Sequence, residues 1–586
     1  MFYRKVGLIF CSSTLFFSFT ALASCTTNEN HPIESEKIIE ELRIQTIQQN
    51  TKLLDKLYHE DEESAYFLNN VESVMNKDVN LYNMHWYTLC LNYIGEQLND
   101  ETTELIEYGL KNDQTVYHNK IYNNFIRASL KKNISGEITD PTQYINELKE
   151  NLGQDGLFFW SSESESLEDK ITATNAALKT FALFNEVPDL TRTKTAIRNL
   201  ATDNTLFTYN KNEIKYNLVS VGLPLLENAA LLGLTDEILQ RSRWLETWEQ
   251  HFRDYLEGND INIIAATQLV ISFQELYQYI GKEYNIPQKF VDFLYPAHDK
   301  LKNLRNIGKK DPQIFYNILA VPEEFKVSTE DIGQLLESYL PLWQYKTPPS
   351  YNLEDLYYGI KAAEELKLDI NKMKLKSTLL RNISRADLKL NELYYVLAIL
   401  DLLGSSKLEN SHLLNQFKKI LQQTSSPNIE EIYYIAYISN LLNYEIPVQL
   451  EYLYDPESLL ALVRNSNIDA AVYYLAKIHQ IRNLNLSSKD ITQIIERYNT
   501  GSGYKISKES TQPNLISTYR IYTVKKLLDI PLQRQERSAI LNLLSKLRID
   551  NGGFKFETEG DLLQSSTKSL FYGIFLFNEL STERTG

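Results

Sequence analysis

Four pairs of adjacent tyrosines, Tyr357-Tyr358, Tyr394-Tyr395, Tyr433-Tyr434 and Tyr473-Tyr474, each open a mostly apolar stretch that ends on a leucine pair or its equivalent about two turns later. Weaker copies begin at Tyr519 and Phe571. The spacing is roughly 40 residues and lengthens toward the end of the series, the period of a helical-hairpin repeat. One such unit cannot bury its own apolar face, so the units must stack, each covering the next. Six copies suffice for one closed ring, an α/α toroid; an open α-solenoid is the alternative arrangement of the same pattern. Only 21 Gly and 16 Pro interrupt 586 residues, and apolar residues recur at helical spacing, so an all-α chain of helical-hairpin repeats is expected. Asn352 before Leu353, Leu356 and Tyr357, and Asn428 before Ile429, Ile432 and Tyr433, read as N-caps. Ser328-Thr329-Glu330-Asp331 ahead of Ile332, Leu335 and Leu336 reads as a capping box.

Three segments add a glycine-aromatic turn, a polar loop and a helix with a Thr near its start. They are Gly552-Gly553-Phe554 with Thr567, Gly501-Ser502-Gly503-Tyr504 with Thr518, and Gly156-Leu157-Phe158 with Thr174. Phe-Asn-Glu recurs at Phe184-Asn185-Glu186 and Phe577-Asn578-Glu579, which puts related hairpins in both halves of the chain. At these residues the chain resembles the α/α-toroid superfamily of protein prenyltransferase β subunits and squalene-hopene cyclases, the terpenoid cyclase-like proteins. Pro348-Pro349 cannot continue a helix. It separates an N-terminal helical domain over 36–347 from a C-terminal α/α-toroid-like repeat domain over 350–586.

The chain begins with Arg4 and Lys5, an apolar run from Gly7 to Ala21, and Leu22-Ala23-Ser24-Cys25. A charged start, a short apolar core and small residues make a secretory leader. The apolar run falls short of the ~20 residues a membrane-spanning helix needs. The segment resembles the lipobox of bacterial lipoproteins. That resemblance implies a signal peptide over 1–24, a diacylglyceryl and palmitate-type modification on Cys25, a tether over 25–35, and anchoring on the extracytoplasmic face of a bacterial cell membrane. On that resemblance Cys11 would leave with the leader and Cys25 would be acylated, which would leave Cys90 as the one remaining cysteine of three, without a partner for a disulfide.

A net charge of −16 repels phosphate backbones, so no nucleic-acid partner is expected. The eight histidines contain no i, i+4 pair and no His-Glu-x-x-His, so neither a metal nor another cofactor is expected. The zinc-ligand, polyene-protonating and thioester motifs of the toroid families are missing, as are a nucleophile elbow, a Walker loop and a dinucleotide fingerprint. Carboxylates in the loops after the glycine-aromatic turns, Glu165, Asp169, Glu557 and Asp561, are the catalytic candidates for a toroid enzyme acting on isoprenoid, lipid or polysaccharide. As solvated loop residues they would instead complement the positive start of the next helix. Adjacent tyrosines point about 100° apart on a helix, so Tyr357, Tyr394, Tyr433 and Tyr473 are candidates to line a ligand site inside the ring, core packing being the alternative. The expected function is a non-catalytic binding or scaffold lipoprotein, held at the membrane by its lipid and carrying a protein, peptide or small ligand. An enzyme using the loop carboxylates is the alternative.

Overall fold

The computed structural model describes residues 32–582 apart from 62–63, 113–118, 139, 185–187, 203–220, 235–248, 251, 258–260, 262, 280, 295–310, 321–328, 347–351, 384–386, 406–410, 551 and 559–564. Among these residues the only sheet is one antiparallel pair, Tyr58–Glu60 with Ala65–Phe67, and the architecture is all-α. The chain forms two compact units, residues 77–348 and residues 1–76 with 349–586. Helix α1 (Pro32–Leu57) therefore belongs with the C-terminal repeats, and residues 36–76 leave the N-terminal domain expected over 36–347.

In the 77–348 unit, six helices follow one another around a circle: α2 (Leu81–Ile94), α3 (Lys120–Ser135), α4 (Leu167–Phe181), α5 (Leu223–Leu231), α6 (Ile263–Tyr279) and α7 (Pro312–Ala320). Each packs on the next, and α7 packs back on α2. The 349–586 unit repeats the arrangement with α8 (Leu353–Leu366), α9 (Leu390–Leu402), α10 (Ile429–Leu441), α11 (Ala470–Arg482), α12 (Leu515–Leu527) and α13 (Thr567–Thr582), and α13 packs on α8. Both units are closed rings, which excludes the open solenoid for each.

The inner helices are apolar nearly all round because they are covered on nearly all sides. On α9, Leu393, Val396, Leu397, Ala398, Ile399 and Leu400 are all buried. The connecting helices show one apolar stripe instead: Ser411–Gln423 buries Leu413, Phe417 and Leu421. Starts are capped as the sequence suggests. Asn352 Oδ1 accepts from Glu354 N at 2.8 Å, and Asn428 forms a full capping box with Glu431. Of the expected box at Ser328–Asp331, Ser328 lies outside the described residues, while Thr329 begins a helix.

The glycine-aromatic turns share one geometry. Phe158, Tyr504 and Phe554 each form an isolated antiparallel bridge with the end of the preceding segment, to Leu152, Asn499 and Arg548. Thr174 and Thr518 accept the buried backbone N–H of Phe158 and Tyr504 at 3.0 and 3.2 Å. The threonine is thus the partner of a turn N–H that has no place in the helix ladder. In the third turn, α1 supplies the acceptor: Gly553 N donates to Asn50 Oδ1 at 2.7 Å.

The N-terminal segment completes the second ring's outer layer. Helix α1 packs on α13 and α8, between the last repeat and the first. Ala65 N donates to Thr378 Oγ1 at 3.0 Å, and the Phe67 ring packs against Gly359 of α8. A Cβ on Gly359 would stand 2.4 Å from Phe67 Cγ, well inside contact distance. Gly359→Ala should therefore lower unfolding stability by about 1–3 kcal/mol through overpacking. Urea titration should show that cost shrinking when Phe67→Leu is combined with it; equal costs in both backgrounds would mean the ring is not what the new methyl meets.

Candidate functional site

The interior of the 349–586 ring is a wheel of aromatic side chains. Tyr357 approaches Tyr394 at 6.4 Å between centroids, Tyr394 approaches Tyr433 at 5.5 Å, and the last two share a hydroxyl hydrogen bond of 3.1 Å. Tyr433 stacks on Tyr474 at 5.5 Å, Tyr473 approaches Tyr519 at 6.3 Å, and Tyr519 stacks on Tyr572 at 4.0 Å. Tyr572 closes the circle through a 2.8 Å hydroxyl contact with Tyr358. Tyr357, Tyr394, Tyr433 and Tyr473 are thus brought to one wheel; Tyr394 and Tyr433 are buried, Tyr357 and Tyr473 half-buried. Burial and then the other tyrosines of the wheel, Tyr357 and Tyr473 among them, push the Tyr394, Tyr433 and Tyr519 hydroxyls well above the ordinary range, so they act as neutral hydrogen-bonding groups.

The carboxylates near the starts of these helices are occupied. Glu354 Oε1 accepts from Lys568 Nζ at 2.6 Å and Tyr395 Oη at 3.0 Å. Glu430 Oε1 accepts from Tyr434 Oη at 2.6 Å and Tyr474 Oη at 2.5 Å. Asp469, fully buried, pairs with Arg520 at 3.3 Å. Further along the helices stand two cations. Lys361 Nζ lies 4.3 Å from the Phe571 ring centroid and 5.4 Å from that of Tyr357. Lys477 Nζ lies 5.9 Å from the centroid of Tyr473. Both ammonium groups are pushed down to about 8, Lys361 by burial against the opposing charges of Glu365 and Glu364, Lys477 by burial and by the charge of Lys361. Sequence reading missed these two residues, although Tyr-Tyr-x-x-Lys occurs in both repeats, at Tyr357–Lys361 and Tyr473–Lys477.

The other ring holds a different polar group. Glu227 Oε2 accepts from Lys179 Nζ and Asn175 Nδ2, each at 3.1 Å, and Asn175 also donates to Asn228 Oδ1 at 3.0 Å. Glu275 on the adjacent α6 has its carboxyl raised by desolvation and then by the charge of Glu227, with Lys179 opposing. Where α7 meets α2 in this ring, Trp86 packs on Tyr316 at 5.5 Å. His85 is buried and pushed down to about 3, hence neutral, and burial raises the thiol of Cys90 far above its usual range. Neither is available as a nucleophile or base.

The four loop carboxylates do not assemble on one ring. Glu165 and Asp169 belong to the 77–348 unit, Glu557 to the 349–586 unit, and Asp561 lies outside the described residues. Glu165 braces its own turn, accepting from Trp160 N at 2.8 Å and from Ser161 N and Oγ at 2.7 Å each. Partial desolvation works against ionisation there, yet the bonds from Ser161, Trp160 and Ser162 outweigh it and hold the carboxyl below the usual range. Asp169 Oδ2 accepts from the cap residue Ser166 at 2.6 Å, and Glu557 Oε1 accepts from Asn514 Nδ2 at 2.9 Å. Leu22, Ala23, Ser24 and Cys25 lie outside the described residues. Among the described residues, no helix is long and apolar enough to cross a membrane and no cluster of His, Cys, Asp or Glu could hold a metal ion.

Residues 344–428 match the model of the Ribophorin II N-terminal domain family. The match begins at the entry to the 349–586 ring and spans α8, α9 and the helix Ser411–Gln423. No curated protein matches the chain at a significant level. The family match corrects the sequence reading. Ribophorin II is a family of eukaryotic endoplasmic reticulum membrane proteins associated with oligosaccharyltransferase. It is neither a bacterial lipoprotein family nor a terpenoid cyclase-like one, so the prenyltransferase and cyclase resemblance, the placement on a bacterial cell membrane, and the lipoprotein scaffold with its isoprenoid- or polysaccharide-acting alternative are all overturned. A Gly-aromatic turn braced by Thr serves hairpin closure in any ring of this kind, which is why it pointed to the wrong family.

The two interior lysines make a pH test. The unfolded chain holds their protons up to about pH 10.4, whereas the folded chain releases them near 8. Between those values the unfolded chain holds more of these two protons, so the lysines contribute stability that rises with pH across that window. The raised tyrosines contribute with the opposite sign there, since they ionise at about 10 only when unfolded. Urea unfolding should therefore show the native chain gaining stability relative to Lys361→Met/Lys477→Met as pH rises from about 8 to about 10; a constant difference between the two chains would remove the lysines as its source.

Proposed function

We propose that this chain is an accessory subunit of a membrane-associated assembly that transfers glycans to protein, with the 349–586 ring as the module that joins the assembly. The observation that carries this reading is the match to the Ribophorin II N-terminal domain over the first repeats of that ring. Two features of the molecule support it. The carboxylates of the ring's interior are tied to neighbouring side chains, as suits a module that binds rather than one that reacts. The outer layer of the ring is completed by the N-terminal segment, α1 packing on α8 and α13.

The full chain, affinity-tagged and recovered from its own cells in a mild detergent, should migrate as part of a larger assembly. That assembly should transfer a lipid-linked glycan to a peptide bearing Asn-x-Thr. A chain that migrates alone, or an assembly without this transfer activity, would overturn the reading.

A further inference from the structure

Helices α8 and α11 are first and fourth of six around the ring, so they face one another across its axis. Lys361 and Lys477 occupy the same place on them, four residues after the first tyrosine of each pair. Both side chains turn onto the aromatic wheel, Lys361 over Tyr357 and Phe571 and Lys477 over Tyr473, and the charge of Lys361 acts on Lys477. Among the described residues neither ammonium lies within salt-bridge distance of a carboxylate. The acids nearest Lys361 are engaged elsewhere: Glu364 pairs with Lys372 at 3.1 Å, and Glu365 accepts from Asn578 Nδ2 at 3.4 Å. Asp401, on α9, stands 3.5 Å from Tyr437 Oη. Two like charges in one half-buried ring interior disfavour each other, and an anion among them relieves that cost.

We propose that the axis of the 349–586 ring binds a phosphate-bearing ligand, its oxyanion seated between Lys361 and Lys477 with Tyr357, Tyr473 and Phe571 as the walls. A phosphate fits this arrangement because lysine binds it as a point charge from any direction, and two ammoniums from opposite walls match two negative charges. The aromatic faces offer contact area to an organic group esterified to that phosphate. The wheel's hydroxyls, neutral through the physiological range, can donate to the remaining oxygens. This inference goes beyond the assembly role and does not depend on it.

Isothermal titration of the full chain with inorganic phosphate and with phenyl phosphate tests it. Saturable binding of one equivalent is expected, weakened tenfold or more by Lys361→Met and by Lys477→Met. The same change at the exposed Lys489 should leave it intact. Equal affinity for the two probes would identify free oxyanion as the ligand; tighter binding of phenyl phosphate would identify an esterified phosphate. In the native chain the probe that binds should raise the thermal midpoint while chloride at equal ionic strength does not, a readout that needs no variant to fold. Absence of binding by both probes, or affinity undiminished in both interior variants, overturns the proposal.

Discussion

The contact of α13 on α8 is the one on which the C-terminal unit depends. Every inner helix there is apolar on more faces than one neighbour can cover, so a linear stack would leave its first and last members exposed. Packing the last on the first removes both ends at once, and the hydroxyl contact between Tyr358 and Tyr572 sits at that seam. The outer layer has the same requirement. The final repeat has no following helix to cover it, and α1 takes that position, with Asn50 satisfying the turn N–H of Gly553 and Phe67 resting on Gly359. The N-terminal segment and the last repeat are thereby packed together, and loss of that segment would uncover the outer face of the seam between α13 and α8.

Closure also decides the electrostatics of the interior. Six inward faces bring tyrosines, acids and bases into a space with little water, where an unpaired polar group costs more than on the surface. Most groups meet that cost with a partner contributed by another repeat: Glu354 with Lys568, Glu430 with Tyr474, Asp469 with Arg520. Lys361 and Lys477 instead lie over aromatic faces, with no carboxylate at salt-bridge distance among the described residues. In the 77–348 ring the balance is struck differently, with Lys179 held on Glu227 and the proton retained more firmly on Glu275.

Much of the local structure was legible in the sequence because local signals suffice for it. The Tyr-Tyr pairs fall on the inner helices, Asn352 and Asn428 cap them, and Thr174 and Thr518 sit where the turns need an acceptor. The carboxylates were misread because a loop acid after a turn is the same string of letters whether it reacts or braces. Only the distances from Trp160 N and Ser161 to Glu165 reveal the brace. The family was misread for a related reason: the turn motif answers a demand of hairpin closure and carries little information about descent. The interior lysines had a signal, Tyr-Tyr-x-x-Lys in two repeats, but a lysine four residues after a tyrosine is also an ordinary exposed helix position, and nothing local separates the two.

The sequence by itself determined the helical class, the repeat length, the caps and the turns, since each rests on interactions spanning a few residues of one chain segment. The tertiary structure alone decided that each unit closes, that the N-terminal segment joins repeats more than 300 residues away through contacts such as Ala65 with Thr378, and that Lys361 and Lys477 both turn onto the aromatic wheel. Those outcomes depend on the small rotation each hairpin makes against the next, summed over six steps. No single repeat encodes that sum, because it is fixed by side-chain packing between repeats.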